Sequence, residues 1–292
     1  MAIDKYCYIR LAMVQNAETG YRVTYSRQEQ ADTIAAIQHP AVRAVYGEEG
    51  VRPGLDMVHE SDLPARSGLG SSSSFVVGLL HALRALSGER PDRRWLAQEA
   101  IRIEREVIGE NVGSQDQIWA AYGGLNHIRF HPSGDFDVTP LSLSAARREE
   151  LCASLLMVST GLFRIASEIA GQQIENIDRR EAQLHGIAAL VDEAAAWLSD
   201  EYMPVHHLGE LLHHSWMLKR QLAQEVSNSV IDEIYAEAIA GGASGGKLLG
   251  AGKGGFMVFF IDPARRQALA NRLSRLRSVA VGIDSAGSVI LP

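Results

Sequence analysis

Apolar and polar positions change rhythm several times along this chain, and each change marks an element. Residues 3–14 and 21–25 read as strands with a turn at 16–20 between them. Positions 31–45 predict a helix, 50–54 a Gly- and Pro-containing loop, and 55–59 a short strand. After a glycine- and serine-rich stretch, Phe75, Val76, Leu79, Leu80, Leu83 and Leu86 recur at helical spacing, and the pattern stops near Ser87 and Gly88. A second helix is expected from an N-cap at Asp92 to about Ile108. Residues 109–116 are rich in Gly, Asn and Ser and predict a loop, while 125–130 and 136–141 predict paired strands around His131-Pro-Ser-Gly134.

The second half opens with an apolar strand at 151–158, followed by long helical stretches over 165–200 and 208–240. A glycine-rich segment at 241–255 leads into Phe256-Met-Val-Phe-Phe-Ile261, which reads as a buried strand. A helix near 264–276 and strands at 278–284 and 287–291 complete the pattern. Strands and helices mix without strict βαβ alternation, so the expected class is α+β. A length of 292 residues favours two domains, with the boundary between 142 and 152; we take them as 1–147 and 148–292. No internal repeat or low-complexity tail is visible.

Composition narrows the partners. A net charge of −7 argues against a basic surface for nucleic acid, though not against a local pocket for a phosphorylated small molecule. Cys7 and Cys152 lack metal-ligand spacing and read as reduced packing residues. No apolar run approaches the ~20 residues of a membrane span. Asp4 and Lys5 stand where a signal peptide would need an apolar run, so a cytoplasmic enzyme without membrane attachment is expected.

The densest chemical signal is Leu63-Pro-Ala-Arg-Ser-Gly-Leu-Gly-Ser-Ser-Ser-Ser74. Gly68 and Gly70 allow tight turns and close approach to a ligand. The serines fall where a helix begins, and the unpaired N–H groups and positive dipole end there suit an anion, typically phosphate. Two tempting matches in the later loop fail on context. Residues 241–247 fit G-x-x-x-x-G-K, but Leu248 replaces the required Ser or Thr and a helix precedes the motif. Residues 250–255 fit G-x-G-x-x-G, but a strand rather than a helix follows.

Between the loops lies Glu104-Arg-Glu-Val-Ile-Gly-Glu-Asn-Val-Gly-Ser-Gln-Asp-Gln117. A helix carboxylate followed a dozen residues later by one in a loop suits a magnesium ligand and a proton acceptor. The plain alternative is the solvated face of an amphipathic helix. His206-His207 and His213-His214 lack an accompanying carboxylate or cysteine framework and read as helix-surface histidines.

Together these segments resemble the GHMP kinase superfamily of galactokinase, homoserine, mevalonate and phosphomevalonate kinases. Residues 63–74 look like its ATP-phosphate loop, 111–116 like its catalytic-aspartate loop, and 250–256 like its third, glycine-rich motif. A narrower similarity, spanning nearly the whole chain, is to D-glycero-D-manno-heptose 7-phosphate kinases. It rests on Ala2-Ile-Asp-Lys-Tyr6, Val112-Gly-Ser-Gln-Asp-Gln117 with Ala120-Ala-Tyr-Gly-Gly-Leu-Asn126, and Thr160-Gly-Leu-Phe-Arg-Ile-Ala-Ser167. Residues 211–222 and Gly245-Gly-Lys-Leu-Leu-Gly-Ala-Gly252 add to it.

The resemblance implies a two-domain α+β fold, with a ribosomal-protein-like N-terminal domain and a ferredoxin-like C-terminal one. It implies an ATP- and magnesium-dependent kinase that phosphorylates the anomeric hydroxyl of a heptose 7-phosphate, feeding nucleotide-activated heptose synthesis. The partners are then ATP and a small sugar phosphate, with a homodimer as the candidate assembly. Pro64, Ser67, Gly68, Leu69, Gly70, Ser71, Ser72 and Ser73 would wrap the ATP phosphates, with Ser72 beside magnesium. Glu104 would be the metal carboxylate, with Glu106 as fallback because the following loop is one residue longer than in mevalonate kinases. Asp116 would face the sugar hydroxyl as base or orienter. Gly250, Ala251, Gly252, Gly254 and Gly255 would support the phosphate and substrate side, with Arg164 meeting the sugar or its phosphate or else facing outward.

There are two departures from the pattern. Lys253 stands where the family usually has glycine, facing either phosphate or solvent. The family's earlier motif, roughly R-A-P-L-R-I-S-F-x-G-G-G-T-D, has no counterpart here; in the family it completes the N-terminal sheet and contributes sugar-binding residues. Two rivals therefore stand beside the heptose kinase: another GHMP sugar kinase of fuco or galacto type, and a shortened homologue that binds nucleotide without turnover.

Overall fold

The computed structural model describes residues 1–14, 20–64, 67–162 and 166–291. In chain order the elements begin with β1 (Cys7–Met13), β2 (Tyr21–Thr24), β3 (Gln28–Ala31), α1 (Pro40–Glu48) and β4 (Leu55–Ser61). Next come α2 (Ser71–Leu86), α3 (Arg93–Arg102), α4 (Gln115–Tyr122), β5 (Asn126–Phe130) and β6 (Phe136–Pro140). There follow α5 (Ala145–Ala153), β7 (Leu155–Ser159), α6 (Ala166–Glu175), α7 (Glu181–Ser199), α8 (His207–Lys219) and α9 (Ser229–Ala240). The chain closes with β8 (Gly245–Leu248), β9 (Phe256–Phe260), α10 (Pro263–Arg272) and β10 (Ser278–Val279).

The first sheet has the order β1-β4-β2-β3, with β1 antiparallel and β2 parallel to β4. Helix α2 lies across it; a Cβ on Gly78 would sit 3.2 Å from Ile9, so the small residue sets the approach. Val23, Met57, Val76, Leu79, Leu80, Ile103 and Ile118 form the core of this half. The second sheet, β10-β7-β9-β8, is wholly antiparallel. Alternate residues of its central strands enter different cores: Leu156 and Val158 pack with Trp216 and Phe259, while Leu155 and Met157 pack with Leu208, Leu211 and Phe260. A sheet buried on both faces explains why 155–158 and 256–261 are continuously apolar rather than alternating.

Several expected elements divide. The helix expected over 31–45 begins only at Pro40, because Ala31 closes β3 and residues 34–36 form a 3₁₀ turn. His39 caps α1 through its side chain and Pro40 occupies the first helical turn, where a missing N–H costs nothing. The strand expected at 151–158 starts at Leu155, since α5 occupies the preceding residues. There Arg147 is 5% exposed and donates to the carbonyls of Trp197, Leu198 and Met203. The stretch 208–240 breaks at residues 220–228, where Asn228 caps α9. Of the two strands expected in 278–291, only Ser278–Val279 pairs as a strand, with Ile283 adding a single bridge to Ile3.

Candidate active site

Gly68 and Gly70 both adopt left-handed backbone, with φ of 76° and 73°. Gly70 is the residue before the first turn of α2, so it has no side chain to cap the helix's leading N–H groups, and no side-chain cap is made among the described residues. Ser71, Ser72, Ser73 and Ser74 make up this first turn. Ser67 is buried and its hydroxyl lies 3.1 Å from that of Ser71, which pins the loop to the helix start. Leu69 packs against the core beneath the second sheet, and Pro64 is exposed at the loop's entry.

Below the serines sits a buried polar cluster. Glu104 and Gln117 are both fully buried. The Ser73 hydroxyl donates to Glu104 Oε2 at 2.8 Å, and the Gln117 amide donates to the same oxygen. Among the described residues Glu104 Oε1 finds no hydrogen-bond partner. Burial pushes the Glu104 carboxyl above its ordinary pKa, opposed by the Ser73, Gln117 and Ser72 contacts that favour the ionised form. Glu104 lies in a π-helical turn, Ile103–Val107, that continues α3. Such a turn absorbs one extra residue within a helix and is common at functional sites. Within it Glu104 is buried and Glu106 exposed. Ser72 is exposed, so the direct hydrogen bond to Glu104 comes from Ser73.

Asp116 is not in a loop, as its glycine-rich surroundings suggest, but in the first turn of α4. Helix formation there buries Gln117, Ile118 and Ala121, and an acid in the first turn complements the helix dipole. A Cβ on Gly70 would come within 3.2 Å of the Asp116 carboxyl carbon. Glycine thus serves position 70 twice, through its left-handed backbone and through the close approach of Asp116 to this loop.

The third glycine segment closes on the first. A Cβ on Gly255 would overlap the carbonyl oxygen of Ser67. Gly255 is clamped by Thr160, which is 5% exposed: Thr160 N donates to Gly255 O at 2.8 Å and its hydroxyl does so at 2.9 Å. Gly254 packs on Leu162 and Gly252 on Val226, each leaving 2.7 Å for a Cβ. Lys219 donates to the carbonyls of Leu248 and Gly250, and Gln173 to that of Ala251. Lys253 has φ of 65°, the conformation a glycine there would adopt without strain. Its ammonium pairs with Glu225 at 2.7 Å on the surface, which settles its direction.

Gly68, Gly70, Asp116 and Gly250 line one cleft of about 1420 Å³, together with Ser215 and Lys247. Arg164 lies outside the described residues. Gln117, Thr160, Lys219 and Lys247 were not singled out from sequence as site residues, although all four fall within the quoted motif segments. The sequence does not announce which of those positions turn inward. His207 stacks on Trp197 and faces Glu193 and Glu210, and His213 bonds the Tyr235 hydroxyl at 2.7 Å. Among the described residues no helix is long and apolar enough to cross a membrane.

Comparison with known proteins places this arrangement. Residues 33–124 match the GHMP kinases N-terminal domain and residues 205–277 the GHMP kinases C-terminal domain, together more than half of the chain. A D-glycero-alpha-D-manno-heptose 7-phosphate kinase of Campylobacter jejuni is 33% identical over 216 residues, covering 74% of this chain and 63% of that one. A bifunctional fucokinase/GDP-fucose pyrophosphorylase of Arabidopsis thaliana is 28% identical over 225 residues, covering 75% of this chain and 21% of that one. The chain therefore spans less than two thirds of either relative's length. A D-glycero-D-manno-heptose 1-phosphate kinase from Bacteriodes thetaiotaomicron superposes with a TM-score of 0.77 at 20% identity, covering 99% of this chain and 89% of that one. A mevalonate kinase superposes with a TM-score of 0.74 at 18% identity, over 98% and 91% of the two chains; at such identities the likeness establishes the fold. With both family domains matched in order, this chain belongs to the GHMP kinase family and carries its two-domain α+β fold.

Proposed function

We propose that this protein is an ATP-dependent sugar kinase that transfers the γ-phosphate to the anomeric hydroxyl of a heptose 7-phosphate, for nucleotide-activated heptose synthesis. The observation that carries the reading is the convergence of three parts: an uncapped helix start at Gly70, Asp116 against Gly70, and Glu104 beneath Ser73. Phosphoryl transfer needs positioning and charge neutralisation more than covalent chemistry, and these parts supply both. The N–H groups of residues 70–73 would receive the ATP phosphates. Asp116 would orient the acceptor hydroxyl and take its proton as the oxygen–phosphorus bond forms and ADP departs. The Glu104 donor set fits magnesium: a buried carboxylate oxygen without a hydrogen bond, next to serine hydroxyls, offers the hard oxygen ligands this ion prefers. Glu104 and Ser72 would hold the ion, which when bound neutralises phosphate charge. The division at 147/148 belongs to the same proposal, supported by a first core cluster confined to residues before it.

The choice of a heptose phosphate rests on the Campylobacter jejuni relative. The test is incubation with ATP, magnesium and separate acceptors: heptose 7-phosphate, fucose and galactose, followed by phosphorus NMR of the sugar. A new anomeric phosphate on heptose 7-phosphate is expected. Product from fucose or galactose alone would favour the other sugar kinases, and none from any acceptor would favour the nucleotide-binding homologue.

A further inference from the structure

Lys247 stands out because its charge has no carboxylate partner. It projects from β8 into the cleft that also holds Asp116 and Gly250. Among the described residues it forms no ion pair, and its one hydrogen bond is to the Ser215 hydroxyl at 3.4 Å, near the limit of such a bond. Lys253 pairs with Glu225 and Lys5 with Asp4, while Lys219 is taken up by backbone carbonyls. Lys247 pairs across the sheet with Val258, and Leu211, Leu212 and Leu249 line the same cleft. Burial draws its ammonium below the ordinary lysine pKa. A cation held at an apolar wall is costly unless an anion meets it.

We propose that Lys247, with the Ser215 hydroxyl beside it, forms a phosphate-binding subsite that takes the phosphate carried by the sugar acceptor. This deepens the kinase reading and rests on it. Two sources of phosphate exist, the nucleotide and the acceptor, and location decides between them. The nucleotide phosphates have their own receptor at the start of α2, in the first half of the chain, whereas Lys247 and Ser215 come from β8 and α8 in the second half. An acceptor with a hydroxyl at one end and a phosphate at the other is the kind of substrate that would use both Asp116 and Lys247, which line the same cavity. An ammonium is a compact point charge that suits a phosphate, and a charge-assisted hydrogen bond is among the stronger polar contacts.

The test is Lys247→Met, which keeps the length of the side chain and removes the charge. The KM for heptose 7-phosphate should rise about tenfold or more, with KM for ATP little changed and kcat reduced far less. Lys247→Arg should recover part of the loss. A rise confined to the KM for ATP, or no change in either constant, would overturn the proposal. If the wild-type protein phosphorylates no heptose 7-phosphate, thermal shift with inorganic phosphate separates the two ideas. Stabilisation of wild type but not of Lys247→Met would keep the subsite while the kinase reading fell, and equal shifts would overturn the subsite. Should Lys247→Met not fold, Ser215→Ala serves in the same assays, with a smaller increase in the same KM expected and an unchanged KM counting against the proposal.

Discussion

Two glycine-rich segments, 67–70 and 250–255, meet in this protein, and the second is much the more tightly enclosed. In the first, Gly68 and Gly70 take left-handed backbone and leave the start of α2 without a side-chain cap. In the second, Gly252 and Gly255 also have positive φ, 139° and 106°, but with Gly254 they are boxed in by Val226, Leu162 and Ser67, so space is needed there as well as backbone freedom. One segment leads into a helix start, and the other brings the second half of the chain against it. Lys253 sharpens the contrast. It sits among the boxed glycines yet points outward to Glu225, so a side chain is tolerated at the one position of that run that faces solvent.

The largest effect expected on the ligand side is at the carboxylate lying on Gly70. Asp116→Asn should lower turnover by about 100-fold or more, the usual scale of a lost general base. Near-normal turnover would remove Asp116 from the chemistry. Gly255→Ala should do its damage to folding. Its φ of 106° and the overlap with Ser67 each carry a penalty, and together they should cost at least about 2 kcal/mol. Calorimetry should record a melting temperature lower by about 4–8 °C. An unchanged melting temperature would mean that the two loops are not locked together.

Acid should act on the first region more than the second. His39 and His59 each hold a ring 4.9 Å from Phe75, in the helix α2 that follows the first glycine segment. Burial lowers the pKa of both rings, with Glu29 partly opposing the shift at His39. The unfolded chain then binds protons that the folded one refuses, so the stability is present above the ordinary histidine pKa of about 6.5 and is lost as pH falls below it. Melting at pH 7.5 and 5.5 should show the loss, and His59→Phe should shrink it. An equal loss in that variant would place the effect elsewhere. The smallest change expected is Lys253→Gly, which relieves left-handed strain and removes a surface ion pair worth at most about 1 kcal/mol. Stability should move by less than about 1 kcal/mol with activity retained, whereas a large loss of activity would mean that Lys253 serves the phosphates after all.

Much of this contrast was legible before any coordinates. The helix over 71–86, the Asp92 cap and the strand after residue 255 follow from spacing and capping chemistry, and so do the failed P-loop and dinucleotide matches. Asp116 was expected in a loop over 109–116, because Gly109, Gly113 and Ser114 suggest one, but the loop ends two residues earlier and α4 starts at Gln115. The buried Ser73–Glu104–Gln117 cluster was half legible. Glu104 has the right spacing, but only tertiary packing makes Ser73 its hydrogen-bond donor and turns Gln117 inward. Why Gly254 and Gly255 admit no side chain depends on Leu162 and Ser67, about 90 and 190 residues away in sequence, which no local pattern reveals.

The most direct measurement is single-turnover phosphoryl transfer from labelled ATP with magnesium to heptose 7-phosphate, run side by side on wild type and Asp116→Asn. Label should move to the anomeric oxygen in wild type and about 100-fold more slowly in the variant. Label that stays on ATP in both, or moves equally fast in both, would contradict the assignment of this cleft as a sugar-kinase active site.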